Sequence, residues 1–305
     1  MNHCSKCHQP AVIAIAYNGT RLCATHFFQY VERRVKKEIT KQGKTAKHTT
    51  IGVALSGGKD STVCLSLLHQ IYGKRPDVRL VALTVDEGIE GYRPKSIDAA
   101  HRTCKELDME HHVISFQEVF GFTMDTVANQ DHELGACSFC GVFRRQCLNI
   151  LAKKLQVDKL ATGHNLDDMA QSILMNFTNG DIDKLTRLGP HLQVQPGLIP
   201  RMLPLRTIPE KEITLYAVLK KMSYYHGECP YAYEALRGEF RDILDELEHN
   251  HPGTRHSILN SFDSIKPALL STCPPVALHS CSTCGEPTTK EYCKACMLKK
   301  RVTNK

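Results

Sequence analysis

Nine residues, Val53 to Ser61 (VALSGGKDS), limit the fold more than any other stretch of this chain. Apolar residues run into Ser-Gly-Gly-Lys-Asp-Ser, and helical apolar spacing follows. A buried strand that turns on glycines into a helix is the unit of an α/β sheet. The helix start then presents backbone N–H groups and partial positive charge, which suit a phosphate. Ser56, Lys59 and Ser61 add three more phosphate-binding groups, which a turn built only for packing would not need. A Walker loop is excluded, because Gly52 stands one residue too far from Lys59 and Asp60 occupies the hydroxyl position.

The surrounding pattern extends the sheet. Residues 51–55, 80–85, 112–116 and 159–163 read as strands, alternating with helices at 60–72, 94–107, about 141–155 and 166–177. That alternation predicts an α/β fold with a parallel sheet covered on both faces and ligands at the carboxyl ends of its strands.

Fourteen cysteines punctuate the 305 residues. Neither a signal peptide nor eighteen uninterrupted apolar residues occurs, so the expected location is the cytoplasm, with no membrane, and there structural disulfides would be reduced. Metal or redox chemistry is the better use of such thiols. Cys4, Cys7, Cys23 and His26 form one quartet, and Cys281, Cys284, Cys293 and Cys296 a second. Each has the paired x2 spacing of a closed tetrahedral Zn2+ site, so two Zn2+ are expected, both structural. The predicted organisation is an N-terminal zinc module at 1–30, a basic connecting helix at 31–50, a catalytic domain at 51–270 and a C-terminal zinc module at 271–305. The net charge of +7 favours a polyanionic partner, and the basic runs 33–37 and 299–301 are candidate phosphate contacts.

Three cysteines, Cys137, Cys140 and Cys229, belong to neither quartet. They suit either a dithiol that carries a persulfide or a [4Fe-4S] cluster with its fourth iron open. Cys64, Cys104, Cys147 and Cys273 have no partner at ligand spacing.

SGGKDS resembles the loop of the PP-loop ATP pyrophosphatases, a superfamily of the adenine nucleotide alpha hydrolase type. The resemblance implies ATP with Mg2+ held by Ala54, Leu55, Ser56, Gly57, Gly58, Lys59, Asp60 and Ser61. It also implies a strand containing Leu83, Thr84 and Val85 against adenine, and a second nucleotide segment with Gly163, His164 and Asp168. Asp167 and Asp168 equally suit the first turn of a helix, where the dipole favours acids. Both terminal quartets, SGGKDS, CSFCGVFRR, TGHNLDD and ECPY together resemble the tRNA 2-thiouridine synthetases of the TtuA/NcsA type, over nearly the whole chain. That family implies a [4Fe-4S] cluster on Cys137, Cys140 and Cys229, and catalytic roles for Lys59, Asp60, Arg144 and Asp168. It implies a tRNA substrate whose uridine O2 is adenylated and replaced by sulfur. The sulfur donor would be a ubiquitin-like thiocarboxylate protein or sulfide, and a homodimer is compatible with the family. Related loops also place Arg206 beside the target nucleotide. The abundance of thermolabile residues favours the wobble uridine over the T-loop. The alternatives are the T-loop reaction, another PP-loop enzyme such as a tRNA cytidine thiolase, and a zinc-and-RNA-binding module without turnover.

Overall fold

The computed structural model describes residues 3–130, 135–191, 194–232, 237–274 and 276–303. The chain opens with a hairpin, β1 (Ile13–Ile15) and β2 (Thr20–Leu22), which leads into helix α1 (Ala24–Lys41). Cys23 is the N-cap of α1 and His26 lies in its first turn. The helix therefore begins inside the first cysteine quartet and crosses residue 30, the expected border between zinc module and connecting helix, without a break.

The central sheet contains β3 (Thr49–Ala54), β4 (Val78–Asp86), β5 (His111–Ser115), β6 (Lys159–Ala161) and β7 (Arg201–Met202), in the order β5-β4-β3-β6-β7. All its pairings are parallel. The middle strand β3 buries Ile51 and Val53 completely, as a strand covered on both faces requires. The strand order reverses between β3 and β6, and the crevice beyond their carboxyl ends is where an open α/β sheet binds ligands.

Helix α2 (Lys59–Tyr72) leaves the glycine turn and buries Val63, Cys64, Leu67 and Leu68. Then come α3 (Arg93–Glu106), α4 (Phe116–Phe120), α5 (Met124–Ala128) and α6 (Ala136–Lys154). Helix α6 starts five residues earlier than the sequence pattern indicates, so Cys137 and Cys140 stand on its first turns and not in a preceding loop. Helices α7 (Leu166–Thr178) and α8 (Ile182–Thr186) precede β7, and α9 (Glu210–Leu219), α10 (Arg237–Asn250) and α11 (Thr254–Thr272) follow it. Strands β8 (His279–Ser280) and β9 (Pro287–Thr288) and helix α12 (Lys294–Thr303) close the chain.

Both terminal modules share core with the sheet domain. Cys4, Cys23, Phe27 and Val31 join the apolar cluster that contains Ile51 and Leu68. Cys281, Cys296 and Leu298 join another with Phe139 and Phe143 of α6. Burial of each such large side chain stabilises by about 1.5–3 kcal/mol, so the modules are anchored by packing as well as by their ligands. Among the described residues no helix is long and apolar enough to cross a membrane.

Candidate active site

The glycine turn is shaped by close contacts that no other residue permits. Gly57 has φ +83°, and a Cβ there would lie 1.9 Å from the carbonyl oxygen of Ser96. Gly58 caps α2 without a side-chain hydrogen bond, leaving the first amides of the helix to meet a ligand. Ser61 braces the turn from inside: its hydroxyl donates to Gly58 O at 2.9 Å and accepts from Ser56 N at 3.1 Å. Ala54 is half-buried and Leu55 buried at the end of β3, whereas Ser56 is exposed at the mouth of the turn. Lys59 Nζ reaches Asp60 Oδ2 at 3.1 Å and Glu210 Oε1 at 2.5 Å. Burial opposes the ammonium charge, but Glu210 and Asp60 outweigh it and hold the Lys59 pKa above its ordinary value.

The second nucleotide segment abuts the same turn. A Cβ on Gly163 would stand 2.9 Å from Ser61 N, so the turn after β6 needs glycine there for α2 to approach. Asn165 and Asp168 form a capping box at the start of α7. Asn165 Nδ2 also donates to Asp60 Oδ1 at 3.3 Å, joining the two segments. Asp168 pairs with Arg237 at 3.0 Å and stays half-buried at the cleft. Asp167 points elsewhere: it accepts from Glu210 N at 2.7 Å and is ion-paired with Arg255 at 2.9 Å, which makes it a structural tie. His164 is exposed, its Nδ1 2.7 Å from Thr162 Oγ1. Leu83 and Thr84 are fully buried. The Thr84 hydroxyl donates to Leu55 O at 2.7 Å, so its side chain serves the sheet. Val85, also buried, gives its carbonyl to the Arg93 guanidinium.

Cys137, Cys140 and Cys229 are half-buried beside this cleft. Cys137 Sγ lies 3.4 Å from Tyr231 O. Cys140 is within electrostatic reach of Arg144, Glu87, Cys229 and Cys137; burial pushes its thiol up to about 12, and Arg144 acts in the opposite sense.

The quartets are tight. Cys7 and Cys23 sulfurs are 3.7 Å apart, Cys284 and Cys293 sulfurs 3.6 Å, and His26 Nδ1 lies 3.3 to 3.4 Å from Cys4, Cys7 and Cys23. A tetrahedral ion with Zn–S near 2.3 Å separates its sulfurs by about 3.8 Å, so both sets have the shape of a zinc site.

Two RNA expectations need correction. Arg206 is 3% exposed, held by Asp263 at 2.6 Å and Glu38 at 3.4 Å. A buried guanidinium needs such partners, and it does not face a nucleotide. Arg34 turns inward to Glu212 at 3.0 Å, whereas Arg33, Lys36, Lys37, Lys300 and Arg301 remain exposed. The sequence patterns missed Arg145 and Arg201. Neither guanidinium has an acidic partner among the described residues, and burial followed by the charge of Arg145 brings Arg201 down to about 10. Glu87 and Arg93, both buried beneath the cleft, carried no motif signal either.

Residues 29–247 match the PP-loop domain model, and residues 3–28 match the N-terminal LIM domain of the 2-thiouridine synthetase TtuA. The chain is 41% identical to the tRNA 2-thiolation protein NcsA of Haloferax volcanii, with 97% of each chain covered. It is 38% identical to the cytoplasmic tRNA 2-thiolation protein 1 of Danio rerio, covering 97% of this chain and 87% of that one. Among solved structures, the U34-tRNA thiolase NcsA from Methanococcus maripaludis, described with its [4Fe-4S] cluster, superposes with a TM-score of 0.86 at 35% identity, covering 99% of this chain and 96% of that one.

Proposed function

Because the chain belongs to the PP-loop family of tRNA 2-thiolation proteins, we propose that it is an ATP-dependent tRNA sulfurtransferase that makes 2-thiouridine at the wobble position. The observation that carries this reading is the juxtaposition of two sites: a phosphate turn with Lys59 and a half-buried cysteine triad with Arg144, in one cleft. Uridine O2 attacks the α-phosphorus of ATP and pyrophosphate leaves; a sulfur nucleophile then breaks the C2–O bond and AMP leaves. Lys59 and the open amides of α2 neutralise the departing pyrophosphate. Asp60 and Asp168 would hold Mg2+. Cys137, Cys140 and Cys229 would hold a [4Fe-4S] cluster, which supplies an open iron for sulfide. Arg144 sets the charge beside those thiolates.

Two structural Zn2+ occupy the terminal quartets in this reading. Arg145 and Arg201 receive RNA phosphate, since neighbouring guanidiniums with no acidic partner among the described residues are stabilised by an anion. The sulfur donor is a thiocarboxylate protein or sulfide, the location is the cytoplasm, and a homodimer is compatible with this reading. The test is pyrophosphate release dependent on tRNA, followed by mass mapping of the product. Sulfur at U34 supports the assignment; sulfur only in the T-loop refutes the position, and turnover without sulfur incorporation refutes the reaction.

A further inference from the structure

Arg93 is 3% exposed and fastens to the phosphate turn: Nη1 donates to Ser56 O at 3.1 Å and to Ser96 Oγ at 3.0 Å. Its Nε lies 2.6 Å from Glu87 Oε2. The other oxygen of Glu87 lies 3.6 Å from Arg144 Nη1, and Arg144 in turn lies within electrostatic reach of Cys140 and Cys229. Glu87 is 4% exposed while the Arg144 side chain is half exposed. One buried carboxylate is thus shared between two guanidiniums, the first locked to the nucleotide turn and the second half exposed beside the cysteine site. A buried carboxylate is costly without full pairing, so movement of either arginine is felt by the other through Glu87.

We propose that Glu87 is a positioning residue that holds Arg144 over the cysteine triad and, through Arg93, keeps that site in register with the phosphate turn. The inference rests on the sulfurtransferase reading. It makes occupancy of the nucleotide turn perceptible at the cysteines, with no residue touching both ligands.

Glu87→Gln keeps the shape and removes the charge. With anaerobically prepared, cluster-loaded protein, the expected result is a fall in thiolation kcat of about 100-fold, the size of a small misplacement of a reacting group, with the ATP KM within about threefold of wild type. Arg144→Ala should lose a similar factor, and the double variant no more than either single one, because the two residues act as a unit. A readout independent of turnover is the EPR signal of the reduced cluster. A non-hydrolysable ATP analogue should shift it in wild type, and should leave it unshifted in Glu87→Gln and in Arg93→Lys. Should Glu87→Gln fail to fold, Arg93→Lys alone decides by the same signal. Multiplicative losses in the double variant, or an analogue-induced shift that survives both substitutions, would overturn the proposal. A wild-type protein that thiolates normally while Glu87→Gln loses nothing sinks the positioning role only. Absence of tRNA-dependent pyrophosphate release from wild type sinks the reading beneath it as well.

Discussion

Lys59 Nζ and Glu210 Oε1 stand 2.5 Å apart, so the cation of the phosphate turn is held by the first residue of α9, about 150 residues away in sequence. A docking phosphate must take Lys59 from this acid. Glu210→Gln is therefore expected to lower the ATP KM by up to about fivefold, the scale of a half-exposed ion pair. Lys59→Ala should abolish AMP and pyrophosphate formation while tRNA binding persists. Steady-state kinetics with tRNA filter binding read both; a collapse of kcat in Glu210→Gln at unchanged KM would give the acid a direct part in the reaction.

Metal content separates the cysteine sets. Purified protein should hold two Zn, Cys284→Ser about one, and Cys137→Ala both, because the quartets converge independently of the triad. Zinc that disappears with Cys137 would reverse the assignment.

The triad should carry about four irons when the protein is prepared without oxygen, and exposure to air should remove the iron lacking a thiolate. Alanine at Cys137, Cys140 or Cys229 should end thiolation. Full activity of aerobically purified, iron-free protein would point to a persulfide instead.

Stability should weaken in acid through the half-buried imidazole of His256. His256 Nε2 lies 3.0 Å from Arg34 Nη2, a geometry in which the ring accepts and must be neutral. Burial, then Arg34, brings its pKa down to about 4. Because the unfolded chain protonates near pH 6.5, the unfolded state binds the extra proton first as pH falls. The stabilisation is full above that value and is lost on the way to pH 4. Melting temperatures should fall over this window, and less steeply in His256→Gln. Zinc release affects both proteins alike, so the difference isolates the imidazole; parallel profiles would count against the argument.

The alternating apolar runs around residues 51–177 were legible because both strand and helix periods survive in them, and ends differed by only a few residues. The exception was the start of α6. Cysteine spacing there resembles a loop knuckle, yet Ala136–Lys154 is continuous helix because Phe139 and Phe143 bury on the face shared with the C-terminal module. The region from Gly189 to Pro209 holds five prolines, which interrupt any periodic pattern, yet it contains the edge strand β7. Two hydrogen-bonded residues leave no periodic trace. Motif residues were legible where chemistry sits in short spacing, as in SGGKDS and the quartets. Arg206, Glu87 and Arg93 were not, because their roles depend on partners brought in by the fold, and a charged residue in sequence looks the same whether solvated or buried.

The helix α1 that carries His26 of the amino-terminal quartet also carries Arg34, which closes on Glu212, 178 residues further along the chain. During synthesis the amino-terminal quartet can therefore capture metal long before its docking surface exists. Until the surface around Glu212 has emerged that module is an incompletely seated piece, and Phe27, Val31 and Val35, which the finished molecule buries completely, lack part of their cover. The interval between capture and seating is when a ribosome-bound chain of this kind most needs a chaperone.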